Sequence, residues 1–375
     1  MLGIYIHIPF CKQACHYCDF HFSTSLKKRD EMVEAICEEL RIRKSEIKGK
    51  VETIYFGGGT PSLLSNDELE QIFEAINEHY LLAEDPEITL EANPDDLTSL
   101  RIQELVRSPV NRLSIGIQSF FKEDLELMNR AHTAVEAMDC ITEVKKHFTN
   151  YSIDLIYGIP GMTEYRWKSN LNTAFNLDIP HLSCYALTVE PKTALKAMIA
   201  KGIVAAVDDE MAQLHHAILL DTTEALGYEN YEFSNFGKPG YYSKNNMAYW
   251  HGRSYLGIGP SAHSYDGKVR SWNVANNNLY LKSIQLGELP LDREELTMKD
   301  RYNEYVMTRL RTAGGIVIQE VEKNFGERYK NYLLKQVELH LANKLLLMDE
   351  EVIRVSRQGK FLSDGIAADL FLVNL

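Results

Sequence analysis

At 375 residues the chain is long enough for one large α/β domain with a smaller appendage, or for two ordinary domains; 45% hydrophobic and 25% charged residues are those of a folded protein with a sizeable core. Its 40 basic against 53 acidic residues leave a formal charge of −13, which disfavours a non-specific grip on nucleic acid or on an anionic membrane. The opening run Leu2-Gly3-Ile4-Tyr5-Ile6-His7-Ile8 has no cationic export signal, and no stretch of about 18 apolar residues could span a bilayer, so a cytoplasmic protein is expected.

The first half alternates short β-rich runs with helical patterns. The β-rich runs fall at Ile4–Ile8, Thr53–Phe56, Ile88–Ala92, Arg112–Ile117, Ile153–Tyr157 and His181–Leu187. Between them, apolar residues at three- and four-residue spacing predict helices over Glu31–Leu40, Asp67–Tyr80 and Leu97–Val106, the second capped by Ser65 or Asn66. Six such units predict an α/β fold over residues 1–190, a parallel sheet closed as a partial, TIM-like (β/α)6 barrel. Its strand-end loops would share one rim, where sites in such folds sit. After Pro191 the rhythm changes. Asp208–Leu226 reads as one helix, begun by Asp208 and stopped by Gly227, and Tyr228–Tyr280 reads as loops and irregular strands, making 191–290 an irregular extension. Residues 291–375 read as mostly helical and end in Val352–Ser356, a turn at Gln358-Gly359, and Lys360–Leu362, the pattern of a small hairpin or wing. With 13 basic and 14 acidic residues, this winged-helix-like C-terminal domain is expected to pack against the barrel rather than read DNA.

Three of the six cysteines crowd into Cys11-Lys12-Gln13-Ala14-Cys15-His16-Tyr17-Cys18, directly after the first strand. In an intracellular chain such a cluster reads as a metal site rather than as disulfides. Three thiolates on one loop would leave one iron of a [4Fe–4S] cluster without a protein ligand, an open position that lets a metal do chemistry. The competing reading is a zinc site completed by His16 or His21, or three idle thiols. The scattered Cys37, Cys140 and Cys184 are expected to be buried and inert. His215 and His216 lie mid-helix, at least one of them facing solvent or structural, and His7 could stand beside the cluster without ligating it.

The surroundings decide between these readings. Tyr5-x-His7-Ile8-Pro9-Phe10-Cys11-x3-Cys15-x-Tyr17-Cys18 resembles the signature of the radical S-adenosylmethionine superfamily, and more narrowly its oxygen-independent coproporphyrinogen III oxidase-like group. The resemblance implies a [4Fe–4S] cluster on Cys11, Cys15 and Cys18 whose fourth iron is chelated by S-adenosylmethionine. An electron donor such as flavodoxin or ferredoxin would then drive release of a 5′-deoxyadenosyl radical. Gly57-Gly58-Gly59-Thr60-Pro61-Ser62 resembles the stretch that binds the cofactor's methionyl end, and glycines there admit close backbone approach. Glu91-Ala92-Asn93-Pro94, Arg112–Phe120, Asn129-Arg130 and Ser152–Pro160 match in the same order. On the matching positions, Tyr5, Gly58, Gly59, Thr60, Glu91, Gln118, Arg130 and Asp154 are the implied S-adenosylmethionine pocket.

The resemblance implies two functions from different classes. One is an enzyme, a coproporphyrinogen III dehydrogenase performing radical oxidative decarboxylation in porphyrin biosynthesis. The other is a haem chaperone that keeps the radical fold, binds haem and passes it to a haem-accepting protein. Oxidases of the group usually add a further cysteine two residues past the last one, where this chain has Phe20, and they carry an N-terminal extension that is not found before the first strand here. Both departures favour the chaperone branch. That branch is also marked by Tyr255-Leu-Gly-Ile-Gly-Pro-Ser-Ala-His263-Ser and by a haem-associated H-N-x-x-Y-W element, met here by Asn246, Tyr249 and Trp250 with Asn245 in place of the histidine. An amide is a poor axial ligand beside imidazole. Three outcomes stay open: haem held without that histidine, a neighbour such as His251 or His263 replacing it, or weak haem binding.

Overall fold

Parallel strands are covered on both faces by their crossover helices, so their sequences run nearly continuously apolar. The six expected runs do so, and in the computed structural model, which describes residues 2–373, they form β1 (Leu2–Ile8), β2 (Val51–Gly58), β3 (Leu82–Ala92), β4 (Arg112–Gln118), β5 (Tyr151–Tyr157) and β6 (His181–Ala186). All are parallel and paired in chain order. Their connections are helical, beginning with Arg29–Ile42, Asn66–His79 and Ser99–Val106. Ser65, rather than Asn66, caps the second helix: its hydroxyl accepts from the Glu68 N–H while Glu68 accepts from the Ser65 N–H. Asp208 caps Asp209–Ala225 by accepting from the Met211 N–H at 3.0 Å, and Gly227, at φ 76°, ends it.

The stretch after residue 228 is more ordered than its sequence suggests. β7 (Glu229–Glu232) and β8 (Asn235–Gly237) add antiparallel to β6, while β9 (Tyr255–Ile258) pairs parallel with β1 on the opposite edge. β10 (His263–Tyr265), β11 (Val269–Asn273) and β12 (Leu291–Glu295) continue outward from β9 to complete twelve strands. No alternating pattern announces β9, because it is four residues long and carries Gly257, whose added Cβ would lie 2.0 Å from the His263 carbonyl oxygen.

What pins this extension is a buried polar knot on the first helix. Glu39 is fully buried and accepts from Arg43 (3.0 Å), the Asn273 amide (2.7 Å), the Gly259 N–H (2.8 Å) and the Tyr280 hydroxyl (2.6 Å). Arg43 in turn donates to the Gly257 carbonyl at 2.8 Å and to Ser264 at 3.1 Å. The carboxylate thus accepts four hydrogen bonds, and the guanidinium reaches across to β9 and β10.

A second apolar core gathers around Tyr302, Val306, Leu333, Val337 and Ile353. It is built from helices Met298–Leu310, Ile318–Phe325 and Glu327–Ala342 with a small sheet of β13 (Ile316–Val317), β14 (Leu346–Asp349) and β15 (Val352–Val355). The wing differs from expectation. β15 pairs back onto β14 through a turn at Glu350-Glu351, and Lys360–Leu362 is a 3₁₀ turn leading into Ser363–Asp369. Arg357 joins this unit to the barrel by pairing with Asp221 and Glu224. His215 and His216 are both buried, and the His215 Nδ1 accepts from the Gly158 N–H, so both are structural. Cys140 and Cys184 are buried as expected, whereas Cys37 is half-buried on the seam between the first two helices. Among the described residues no helix is long and apolar enough to cross a membrane.

Candidate functional site

The cysteine loop leaves β1 and is fastened at its root on both sides. Cys11 N–H donates to the Ser23 carbonyl, Ser23 N–H to that of Pro9, and Thr60 N–H to that of Phe10, at 3.0, 2.9 and 2.7 Å. The loop's far side is clasped by Asn129, whose amide donates to the Ala14 carbonyl at 2.7 Å while its own carbonyl accepts from Gln13 at 2.9 Å. The triple glycine makes this closeness possible. A Cβ on Gly59 would lie 2.6 Å from the Phe10 carbonyl oxygen, and Gly58 holds φ 106° with its missing Cβ 2.5 Å from the His7 ring. Both restrictions are backbone or packed ring, so no larger residue fits.

Each sulfur has one hydrogen-bond donor aimed at it. The Thr60 hydroxyl serves Cys11, the Arg130 guanidinium serves Cys15 at 3.3 Å, and the Phe20 N–H serves Cys18. Burial pushes the Cys11 thiol up and that of Cys18 up to about 11, so without a metal both are neutral. Donors to sulfur are the groups that stabilise thiolate once a metal has displaced the proton. Among the described residues no three His, Cys, Asp or Glu side chains converge as they would around a single ion. Thiolates of a [4Fe–4S] cluster each take a separate iron and need no such convergence. Of the histidines that a zinc site would recruit, His16 pairs through Nδ1 with the Leu127 carbonyl (2.8 Å) and His21 through Nε2 with Asn277 (2.7 Å), and neither converges with the thiols on one point among the described residues. Three thiols, three donors and no set of side chains converging on a single ion among the described residues fit a cluster left open at one iron. His7 is buried, with Nε2 on the His21 carbonyl at 2.9 Å and Nδ1 toward the Tyr5 hydroxyl at 3.3 Å; it buttresses Gly58 and touches no cysteine.

The other predicted pocket residues gather beside this loop. Glu91 accepts from the Tyr55 hydroxyl (2.7 Å) and the Gly58 N–H (3.2 Å). Tyr5 stacks on Tyr55 at 6.1 Å, as their β1–β2 register dictates. Arg130 donates to Asn93 and to the Gly116 carbonyl at 2.6 and 2.8 Å. Gln118 ends β4 at φ 68°, an uncommon conformation for a side-chain-bearing residue, and its amide lies 2.9 Å from where a Gly116 Cβ would stand. Asp154 sits opposite Gly116 in the β4–β5 register and is hydrogen-bonded by Ser183 and Ser114. Tyr55 and Ser183 join this arrangement without any motif to single them out, and Asn93 and Ser114 join it from within the matched stretches. The register of Tyr5 with Tyr55 was the available signal.

Burial pushes the Glu91 carboxyl up to about 7, with the Asp154 charge adding to the shift and the Tyr55 hydrogen bond opposing it; burial also pushes Asp154 up to about 6. The folded chain therefore keeps a proton on Glu91 between its ordinary value of 4.5 and about 7, where the unfolded chain has released it. Stability contributed here falls as pH rises through that window and is flat above it. Metal-free wild type is expected to lose about 3 kcal/mol relative to Glu91→Gln between pH 4.5 and 8, read from urea midpoints. Parallel curves for the two proteins would assign the proton elsewhere.

A cleft of about 1200 Å³ opens next to the loop. Its walls come from β1 (Tyr5, His7), the loop's exit (Asp19, Phe20, His21), the 249–270 segment and the helices of the C-terminal unit. Phe20, standing where the oxidase pattern has a cysteine, is 68% exposed and forms part of the wall. Of the haem-associated element, Tyr249 and Trp250 line the cleft; Asn246 is outside it, in the first helical turn, its N–H donating to the capping Ser243 hydroxyl. Asn245 is buried on the inner side of that helix, its backbone N–H on Glu87 (3.0 Å) and its side chain on Thr53 (3.1 Å).

Comparison with known proteins is consistent across sequence and fold. The model of the Radical SAM superfamily matches residues 5–173, and that of the HemN C-terminal domain matches 296–362. Heme chaperone HemW of Lactococcus lactis subsp. lactis (strain IL1403) is 34% identical over 96% of this chain and 95% of its own. That of Bacillus subtilis (strain 168) is 35% identical over 98% of each. The structure of coproporphyrinogen III oxidase (HemN) from Escherichia coli, a radical SAM enzyme, superposes with a TM-score of 0.87 at 23% identity, over 99% of this chain and 90% of that one, and so shares the fold. The superfamily implies a [4Fe–4S] cluster and S-adenosylmethionine. With identity of this degree running almost from end to end, the chain belongs to the heme chaperone HemW family of the radical SAM superfamily.

Proposed function

We propose that this chain is a haem chaperone: Cys11, Cys15 and Cys18 hold a [4Fe–4S] cluster, the Glu91–Arg130–Asp154 hollow holds S-adenosylmethionine, and the adjoining cleft receives haem for delivery to an acceptor protein. The cleft is the observation that carries this reading. It exceeds the roughly 300–1000 Å³ of ordinary ligand pockets, and its aromatic walls suit a flat, apolar macrocycle. Tyr249 and Trp250 form one face and Phe20, from the cluster loop itself, forms part of the rim, so the two sites share a wall.

A cluster held by Cys11, Cys15 and Cys18 would supply a single electron to the sulfonium of S-adenosylmethionine, given a donor such as flavodoxin or ferredoxin. The chain's own residues do the rest. Glu91 and Asp154 offer carboxylates in a buried hollow where a cationic amino group is the natural counter-charge. Arg130 ties Cys15 to Asn93 and Gly116, so one side chain fixes the loop to the pocket. Gly58 and Gly59 leave backbone edges open that a side chain would block.

A paired assay on anaerobically reconstituted protein tests the reading. Hemin is expected to produce a Soret band at one equivalent, and coproporphyrinogen III with S-adenosylmethionine and a reductant is expected to yield no protoporphyrinogen IX. Turnover without a Soret band would establish the oxidase instead.

A further inference from the structure

Asn245 stands where the family element has histidine, yet it is turned inward onto Thr53 and away from the cleft. An imidazole ligand for iron, the commonest kind, has to come from the cleft wall, which carries His7, His21, His251 and His263. Two are committed. His7 uses both ring nitrogens on Tyr5 and the His21 carbonyl, and His21 spends Nε2 on Asn277 while lying against the His7 ring at 6.2 Å. His263 is exposed and stacks on Trp272 at 5.9 Å, with no hydrogen bond orienting its ring among the described residues.

His251 differs from all three. It follows Trp250 at the end of helix Lys244–Trp250, and its Nδ1–H donates to the Met247 carbonyl at 2.8 Å. That bond fixes the tautomer and the ring plane and leaves Nε2 with its lone pair unused among the described residues. Metal-ligating histidines are commonly held this way, by a backbone carbonyl on the nitrogen that does not bind. Burial lowers its pKa, and the nearby Arg309 and Arg253 add to this against the opposing Met247 hydrogen bond and Glu320, so the ring is neutral at pH 7 as ligation requires.

The rest of the cleft suits the ends of the same molecule. Arg270 and Arg309 are paired with Glu304 and Glu320 across its wall. Arg253, Lys268, Arg301 and Lys323 also line it, and none forms an ion pair among the described residues. Cations therefore outnumber partners at the rim, which is what two propionate carboxylates would find favourable.

Resting on the haem reading above, we infer that His251, through Nε2, is the axial ligand of the haem iron in this chain, in place of the histidine that Asn245 supplants. The test is anaerobic hemin titration of wild type, His251→Ala, His251→Gly and His263→Ala, each with iron and sulfide content and far-UV circular dichroism measured. His251→Ala is expected to weaken hemin binding on the order of tenfold or more and to displace the Soret band, with cluster content unchanged. Free imidazole is expected to restore the wild-type band in His251→Gly, a rescue that a merely structural histidine would not show. An unchanged band and affinity in His251→Ala, a missing imidazole rescue, or loss of the band only in His263→Ala would each overturn the assignment. Absence of a Soret band from wild type would overturn the haem reading itself.

Discussion

Cys15→Ser is expected to reduce the bound iron from about four atoms per chain to nearly none and to abolish the brown chromophore, while leaving the fold intact. The reason is in the ligand chemistry. A serine hydroxyl is harder than a thiol and is not deprotonated at neutral pH, so two thiolates would have to hold a cluster that ordinarily takes at least three. The loop is only half-buried at Cys15, and its backbone ties to Ser23, Thr60 and Met128 do not involve the sulfur. The stability cost should therefore stay within about 1 kcal/mol by urea unfolding of the metal-free protein. Cys37→Ser, on a helix seam away from the loop, is the control and should bind iron as wild type does. Iron and sulfide analysis after anaerobic reconstitution reads both. Full iron retention in Cys15→Ser would mean that Cys15 is not a ligand.

The largest effect on stability is expected from the first helix. Glu39→Ala should cost about 3–5 kcal/mol, the usual consequence of removing one partner from a buried ion pair. Arg43 would stay buried with only the half-exposed Glu46 as counter-charge, and the Gly259 N–H, the Asn273 amide and the Tyr280 hydroxyl would each lose an acceptor. Glu39→Gln should fall between wild type and Glu39→Ala, since an amide oxygen keeps part of the accepting capacity but its NH₂ faces donors. Because those bonds hold the segment that carries Tyr255, His263 and Tyr265, hemin affinity should fall along with the urea midpoint. A loss under about 1 kcal/mol would show that the segment is held by its apolar contacts alone.

The parts of this protein that its sequence spells out are the parts encoded in short windows. Cys11, Cys15 and Cys18 fall within eight residues, and the loop they share cannot separate them. The six parallel strands are legible because burial on both faces makes their runs largely apolar, and Asp208 and Gly227 are legible because caps act on neighbouring backbone. The C-terminal wing shows where that reading weakens: Val352–Val355 is a strand as its residues suggest, yet its partner is Leu346–Asp349 rather than Lys360–Leu362. Pairing is a choice between competing partners, and β-propensity does not make it.

The amino-acid sequence by itself determined the class of fold, the cysteine loop, the order of the matched motifs and the family. Only the tertiary structure decided which walls face each other. β9 joins β1 across some 250 residues, Glu39 meets Asn273 and Tyr280 at separations of 234 and 241, and Phe20 comes to share a cleft with Tyr249 and the C-terminal helices. It also turned Asn245 inward and left His251 lining the cleft with Nε2 unpaired among the described residues. The physical reason is common to all of these. A local pattern reports what a residue does to its own backbone, whereas a buried carboxylate or an imidazole takes its role from the donors, charges and space that distant segments bring to it.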